Sequence, residues 1–199
     1  MSILVVGASG FVGRHFIKQL QGEETVGIVA ASRQLQPDLK PTVKQVQLPK
    51  RFVELSPHDL DRMFERITCI FHLASATPRA LANCSEGDRQ AELKDNVEMP
   101  VFLARAAKAR GVKRFVYVSS CGTYGAISKL RPFSELSPFE PHDSYTASKI
   151  GAEKLLASSA NDCPDITIVR PPAVYGPGGH NALSRLIRLT LRGGRSQWG

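Results

Sequence analysis

The fold of this chain is decided near its start, by the stretch Ile3-Leu4-Val5-Val6-Gly7-Ala8-Ser9-Gly10-Phe11-Val12-Gly13. The apolar run that opens the stretch is too short for a helix and predicts a buried strand. Three glycines follow at three-residue spacing, and residues 14–20 have the apolar spacing of a helix. In such a unit the first glycine allows the tight turn, the second lets the backbone approach a pyrophosphate, and the third lets helix and strand pack closely. The stretch therefore predicts a phosphate cradle at a helix start, with an ordinary strand–turn–helix as the alternative.

The bulk composition is that of one globular domain. With 199 residues, 42% of them hydrophobic and 22% charged, the chain can bury a sizeable core. No run approaches the ~18 apolar residues of a transmembrane helix, and no signal peptide precedes the first strand. We therefore expect a cytoplasmic protein without a membrane partner. The cysteines lack metal-ligand spacing and predict reduced core thiols rather than a metal site. They are Cys69, Cys84, Cys121 and Cys163.

The formal net charge is +8, and four of these charges are arginines in the last part of the chain, where residues 181–199 contain no acid. They are Arg185, Arg188, Arg192 and Arg195. A basic balance can indicate nucleic-acid binding, but one solvated basic face is the commoner cause. The chain also lacks the interleaved aromatic residues that stack on bases. We expect no nucleic-acid partner, and a phosphate-bearing small molecule as substrate.

The rest of the chain alternates predicted strands and helices. Further strands are predicted at 25–31, 43–48, 68–75, 112–118 and 166–169. Further helices are predicted from Ser56, over 91–110 with an interruption at Pro100, from Asp143 to about Ser159, and over 181–192. This alternation predicts an α/β fold of the Rossmann type, a doubly wound parallel sheet of six strands with right-handed crossovers.

The end of the second predicted strand bears on the choice of cofactor. A dinucleotide fold that prefers NAD places an acid there for the ribose 2′-hydroxyl. This chain has Ala31-Ser32-Arg33 instead. Since an arginine and a hydroxyl can bind a 2′-phosphate, these residues favour NADP over NAD. The alternative is that Arg33 is simply a solvated residue at a strand end.

Two later stretches carry candidate catalytic residues. Ser119-Ser120 ends the fifth predicted strand, at the sheet edge where ligands bind in open parallel sheets. Tyr145-Thr146-Ala147-Ser148-Lys149 falls in a predicted helix, where residues four apart share a face. A neighbouring ammonium stabilises a phenolate and lowers the tyrosine pKa from its usual value of about 10. We therefore predict a serine of the Ser119-Ser120 pair, Tyr145 and Lys149 as a catalytic group acting on one substrate oxygen.

With these motifs the chain resembles the extended short-chain dehydrogenases/reductases of the NAD-dependent epimerase/dehydratase family. Within that family it is most similar to bacterial nucleotide-sugar 4-epimerases of surface-polysaccharide pathways, on the strength of Arg131-Pro132-Phe133-Ser134-Glu135 and Arg170-Pro171-Pro172. The family motifs, which cover residues 1 to about 192, are the glycine stretch, His72-Leu73-Ala74, Asn96-Val97, residues 114–120, residues 145–149 and residues 170–178.

The resemblance implies roles for these residues. Ser120 would be the catalytic serine, Tyr145 the general acid/base, and Lys149 would lower the phenol pKa and bind the nicotinamide ribose. Leu73 and Ala74 would line the adenosine side, and Pro172 would meet the nicotinamide carboxamide. The cofactor-binding residues expected in this way are Gly7, Ser9, Gly10, Phe11, Val12, Gly13, Ser32, Arg33, Leu73, Ala74, Asn96, Tyr145, Lys149 and Pro172.

Pro100 has two interpretations. In a regular helix the N–H of residue 100 would bond the carbonyl of Asn96, and proline has no N–H. The helix would then kink and leave that carbonyl open, and the resemblance implies that such a carbonyl holds a water that reaches Lys149. In the alternative interpretation the helix begins near Asn96, with Pro100 in or next to its first turn.

Several features depart from the family pattern. No acid follows the third strand, where Leu48-Pro49-Lys50 stands, and Ala173 replaces an asparagine common in nucleotide-sugar enzymes. Relatives continue into a further strand and a small substrate domain. We therefore expect residues 1–199 to be an NAD(P)-binding Rossmann domain whose C-terminal substrate domain is missing, with little turnover of its own.

The function expected is that of an NAD(P)-dependent nucleotide-sugar epimerase or dehydratase, with NADP favoured over NAD. One alternative is an NADP-dependent carbonyl reductase, favoured by Arg33 and Ala173. A second is a non-catalytic cofactor-sensing protein, because related folds do lose catalysis. The partner would be a small molecule, with a homodimer left open.

Overall fold

The sheet of this protein has six parallel strands in the order β3-β2-β1-β4-β5-β6. A computed structural model describes residues 1–23, 25–77, 82, 85–125, 132–179 and 182–191. The strands are β1 (Ser2–Val6), β2 (Gly27–Ser32), β3 (Val43–Gln47), β4 (Cys69–His72), β5 (Arg114–Val118) and β6 (Asp165–Val169). The predicted Rossmann-type doubly wound sheet is confirmed.

Helices cover both faces of this sheet. They are α1 (Phe11–Leu20), α2 (Pro57–Phe64), α3 (Glu86–Ala109), α4 (Ser144–Ser158) and α5 (Ala182–Leu191). Short 3-10 helices span Phe52–Glu54, Cys121–Tyr124 and Ala160–Asp162. The predicted starts of α2 and α4 are confirmed, because Ser56 and Asp143 each accept a hydrogen bond from the backbone N–H three residues on.

Because both faces of the sheet are covered, the inner strands β1, β2 and β4 are nearly continuous apolar runs, whereas the edge strands β3 and β6 carry polar residues. Along β1, Leu4 and Val6 pack into the larger core, with residues of α2, α3 and α4, whereas Ile3 and Val5 pack into the smaller one with Ile17 of α1. The chain leaves β1 toward β2 and β3 and then returns to β4 on the other side. Ligands bind in the crevice at such a switch point, outside the carboxyl ends of the strands.

Helix α3 differs from its prediction in two ways. It begins at Glu86 rather than at residue 91, with a cap from Ser85 to the Asp88 N–H and two acids in its first turn. It also continues through Pro100, which is buried within it. The interpretation that the helix begins near Asn96 is therefore wrong. The direction of the Asn96 carbonyl stays a prediction.

Smaller differences concern strand ends and cysteines. Strand β4 ends at His72 rather than at Ser75, and β5 begins at Arg114 rather than at residue 112. Three cysteines are free thiols, of which Cys69 and Cys163 are buried and Cys121 is partly exposed. Cys84, Arg131, Arg192 and Arg195 lie outside the described residues. Within the ranges given above, no helix is both long and apolar enough to cross a membrane, and no cluster of His, Cys, Asp and Glu could hold a metal.

Candidate active site

The glycine turn between β1 and α1 is fixed by close backbone contacts. Gly7 has φ +89°, and a Cβ there would lie 2.5 Å from the backbone nitrogen of Ala74. A Cβ on Gly13 would lie 2.3 Å from the carbonyl oxygen of Gly7. Helix α1 starts after Gly10, which has no side chain to cap it. The first amides of the helix lack intrahelical acceptors, so this turn can bind an anion.

A cavity beside this turn gathers many of the residues predicted to bind a cofactor. Those that line it are Gly7, Ser9, Gly10, Ser32, Arg33, Leu73, Ala74 and Asn96. Phe11, Val12 and Gly13 form the adjoining first turn of α1. Pro172 does not line the cavity and lies exposed after β6. Tyr145, Lys149 and Ser120 are also outside its lining.

Ten further lining residues were missed from the sequence. They are Leu48, Pro49, Lys50, Phe52 and Leu55 after β3, Ser75 and Ala76 after β4, and Glu92, Asp95 and Met99 on α3. One signal could have found the last three, because together with Asn96 they follow the i, i+3, i+4, i+7 spacing of one helix face. The other seven residues follow β3 or β4. Which residues of such loops reach the cavity is set by tertiary contacts that the local sequence does not show.

The charged residues of the cavity are paired. The Arg33 Nη1 donates to the Glu92 Oε1 at 2.8 Å, and the Arg51 Nη2 donates to the Asp95 Oδ1 at 2.7 Å. Burial raises the pKa of Asp95, and the Arg51 charge opposes that rise. The buried Ser32 hydroxyl donates to the Gln34 carbonyl at 2.6 Å. Both residues expected to hold a 2′-phosphate thus already have protein partners, and the NADP preference is not supported.

Asn96 joins this cavity to helix α4 through its side chain. Its Oδ1 accepts hydrogen bonds from the Ala76 N–H at 2.7 Å and the Ser75 hydroxyl at 3.2 Å. Its Nδ2 donates to the Ala76 carbonyl at 3.0 Å and to the Ser148 Oγ at 3.3 Å. The buried amide therefore fixes the end of β4 against α4, a structural role that the main-chain interpretation did not anticipate.

Tyr145 and Lys149 lie on one face of α4, as the spacing predicts. The Lys149 side chain is buried, and its Nζ lies 5.8 Å from the centroid of the Tyr145 ring. The same Nζ donates to the Val118 carbonyl at 2.9 Å and lies 4.9 Å from the centroid of the Tyr117 ring. Burial lowers the pKa of Lys149 to about 7, and the Glu153 carboxylate opposes that shift.

The pKa of Tyr145 moves in the direction opposite to the one predicted. Burial raises it, and the polar side chain of the nearby Ser75 opposes the rise. Desolvation outweighs the ammonium because the Lys149 Nζ donates to the Val118 carbonyl, not to the phenol. Since Ser75 lines the cavity, the phenol lies near the cavity's edge without lining it.

Ser120 lies next to the start of α4. Its Oγ caps the 3-10 helix Cys121–Tyr124 by accepting from the Gly122 N–H at 3.1 Å. A Cβ on Gly122 would lie 3.0 Å from a methyl group of Thr146 in α4. The neighbouring Thr123 is fully buried and donates to the Ser120 carbonyl at 2.9 Å, so its hydroxyl faces away from any ligand.

A buried ion pair that the sequence analysis missed extends the same helix face. The Arg170 Nη2 donates to the Glu153 Oε2 at 2.6 Å, and its Nη1 donates to the Tyr124 hydroxyl at 2.6 Å. The Glu153 side chain is only 2% exposed. Glu153 follows Lys149 by four residues, and that spacing was the available signal.

A doubly wound parallel sheet with a glycine turn, and a Tyr–Lys pair on a helix at the carboxyl edge, define a dinucleotide-binding domain of the short-chain dehydrogenase/reductase class. The comparison with protein families agrees with this class. The model of the NAD dependent epimerase/dehydratase family matches residues 3–196. The chain belongs to that family.

Individual relatives are similar over nearly the whole chain. The UDP-glucose 4-epimerase of Vibrio cholerae is 30% identical over 200 residues, which cover 96% of this chain and 57% of that enzyme. The structure of MoeE5 in complex with UDP-glucuronic acid and NAD is 32% identical, with a TM-score of 0.78 and coverage of 97% and 62%. That of UDP-glucose 4-epimerase from Thermotoga maritima with UDP-glucose is 26% identical, with a TM-score of 0.79 and coverage of 97% and 64%. The chain thus spans less than two thirds of the length of each of these proteins.

Proposed function

We propose that this chain is the dinucleotide-binding and catalytic part of an NAD-dependent nucleotide-sugar epimerase, with 4-epimerisation as its reaction. The carrying observation is the placement of Tyr145 and Lys149 on one buried face of α4, with Ser75 of the cavity near the Tyr145 phenol. In support, the relatives described above include UDP-glucose 4-epimerases.

In this proposal the catalytic residues transfer the proton of a sugar hydroxyl and bind the oxygen of that hydroxyl. Reversible hydride transfer at the sugar carbon is the chemistry that NAD would supply when bound, with no net oxidation of the sugar. Tyr145 takes the proton of the sugar hydroxyl and returns it. Ser120 bonds the same oxygen, and the Lys149 ammonium favours the phenolate. Gly7, Gly10 and the first turn of α1 bind the pyrophosphate.

We propose NAD rather than NADP as the cofactor. Arg33 has its charge matched by Glu92 at 2.8 Å, and Ser32 is turned toward its own loop. An added phosphate would therefore compete with Glu92 for the Arg33 guanidinium and with the Gln34 carbonyl for the Ser32 hydroxyl. The relative MoeE5 was solved with NAD.

The test is to titrate the chain with NAD by calorimetry and, in a complete protein that contains this chain, to measure the C4 epimer formed from UDP-glucose. We expect NAD binding by the wild type and by Tyr145→Phe, with product formation at least ~10²-fold lower in the variant because the proton carrier is gone. Equal product formation by the two, or no NAD binding by the wild type, would contradict the proposal.

The same assay separates the two alternatives. Net consumption of reduced nicotinamide would favour a carbonyl reductase, the function that Ala173 also favours. NAD binding with no turnover of UDP-glucose or UDP-glucuronic acid by the complete protein would favour a non-catalytic cofactor-sensing protein. A cytoplasmic location and a homodimer stay predictions, the second to be checked by sedimentation.

A further inference from the structure

The cavity is lined by two acidic residues, but neither of them comes from the ends of β2 and β3 that border it. Strand β2 ends in Ser32, followed by Arg33, and β3 is followed by Leu48-Pro49-Lys50. The acids of the cavity come from α3 instead. Glu92 and Asp95 are three residues apart on one helix face, and each is held by an arginine that follows a strand.

Glu92 is built into the side of the cavity where β2 ends. Its side chain is 19% exposed, whereas that of its partner Arg33 is 55% exposed. Arg33 donates to Oε1, and within the described ranges no other hydrogen bond reaches this carboxylate. Glu92 therefore keeps acceptor capacity toward the cavity, and Arg33 holds the carboxylate in position.

The end of the second strand is where a Rossmann domain holds the adenosine ribose. A carboxylate there accepts a hydrogen bond from a free 2′-hydroxyl. A 2′-phosphate brings a second anion toward the carboxylate, and an arginine already paired with that carboxylate cannot offset the repulsion fully.

We propose that Glu92 determines the cofactor specificity of this site, accepting the ribose 2′-hydroxyl of NAD and repelling the 2′-phosphate of NADP. This inference rests on the proposed function, because it needs a dinucleotide in the cavity. Arg33 is then a positioning residue for Glu92 and not the ligand for a 2′-phosphate.

The experiment measures NAD and NADP affinities of the full chain by calorimetry, for wild type, Glu92→Gln, Arg33→Ala and the double variant. We expect the wild type to prefer NAD, and Glu92→Gln to shift the affinity ratio toward NADP at least tenfold. Arg33→Ala alone should leave NADP binding no weaker. Adding Arg33→Ala to Glu92→Gln should remove the gain in NADP affinity, because Glu92→Gln frees Arg33 from its ion pair and makes it available to the 2′-phosphate.

Glu98→Gln is the matched control. Glu98 lies on the same helix, pairs with Lys94 at 3.8 Å and does not line the cavity, so the ratio should not change. Because the Arg33–Glu92 pair is partly exposed, its loss should leave the fold intact, which circular dichroism checks.

The outcomes separate this inference from the proposed function. An unchanged ratio in Glu92→Gln would overturn the inference and leave the function standing. The inference would also be overturned if the wild type preferred NADP and the Arg33→Ala variant lost that preference. Failure of the wild type to bind either dinucleotide would overturn the proposed function and, with it, this inference.

Discussion

The two halves of the sheet's carboxyl edge treat polar groups differently. Around β2 and β3 the charges are partly exposed and paired across elements, as in Arg33–Glu92 and Arg51–Asp95. Around β4 and β5 the polar groups are deeply buried. The ring nitrogens of His72 and the hydroxyls of Tyr117 and Ser119 have no hydrogen-bond partner among the described residues.

The pKa shifts follow the same division. Burial lowers the pKa of His72 to about 3, with help from the Lys149 charge, and that of Lys149 to about 7. Burial also raises the pKa of Tyr117. Such shifts concentrate where proteins perform chemistry. The region around β2 and β3 can thus hold a polar ligand at little cost in folding free energy. The region around β4 and β5 contains buried polar groups that lower the stability of the fold.

The largest effect should come from the buried ion pair of the second half. Arg170→Met leaves the Glu153 carboxylate buried and uncompensated. We expect a loss of about 3–5 kcal/mol in the free energy of unfolding, measured by urea denaturation. Lys44→Met, which breaks the exposed pair with Glu65, is the control and should lose at most about 1 kcal/mol. Equal losses would show that burial does not decide the cost of breaking an ion pair in this fold.

The glycine turn gives the next effect. Gly13→Ala places a Cβ 2.3 Å from the Gly7 carbonyl oxygen, so backbone must move. We expect a loss of about 1–3 kcal/mol and weaker NAD binding. Gly87→Ala on α3 is the control, since its Cβ meets nothing within 4 Å and should raise stability by about 0.5–1 kcal/mol. If both variants were equally stable, the close packing of α1 on β1 would not be needed.

Lys149→Met should stabilise the protein at neutral pH. The pKa of Lys149 falls to about 7 in the folded state from 10.5, so between these values the unfolded chain binds more protons and wild-type stability rises with pH. The gain from the variant should therefore be largest at pH 7 and below, at about 1–2 kcal/mol after loss of the bond to Val118, and should shrink toward pH 10.

Thermal denaturation at a series of pH values measures this gain. Lys154→Met, an exposed position on the same helix, is the control and should show no such trend. A gain that grew with pH would mean that Lys149 is stabilised as an ammonium in the fold, against the effect of its burial.

The smallest effect concerns the first half. Arg33→Ala breaks a pair whose arginine is 55% exposed, and we expect a change of at most about 1 kcal/mol in the free energy of unfolding. Urea denaturation beside Arg170→Met makes the comparison direct. A loss of about 3 kcal/mol or more would show that the two halves do not differ.

The fold could be predicted from local pattern. Most strands are short apolar runs, β3 mixes valines with polar residues in the manner of a half-buried strand, and the predicted helices have periodic apolar spacing. The exception is the first turn and a half of α3, where Glu86–Gln90 contains no apolar side chain larger than glycine and only the Ser85 cap marks the start.

The site could be predicted where a short local motif determines its geometry. Examples are the glycines Gly7 and Gly13, and the four-residue spacing that puts Tyr145 and Lys149 on one helix face. Glu92, Asp95 and the Arg170–Glu153 pair were missed because their partners are distant in sequence. The direction of the Tyr145 shift was missed because spacing places an ammonium nearby but does not show how deeply the phenol is buried.

Asn96 shows how much structure one position can encode. Its amide makes two donor and two acceptor bonds at once, joining the loop after β4 to Ser148 of α4, which follows Asn96 by 52 residues. Aspartate has the shape but not the donors, glutamine has the donors but is one carbon longer, and serine is too short. Asparagine therefore fits this position better than any of these three residues, and the contact between the loop after β4, α3 and α4 depends on its side chain.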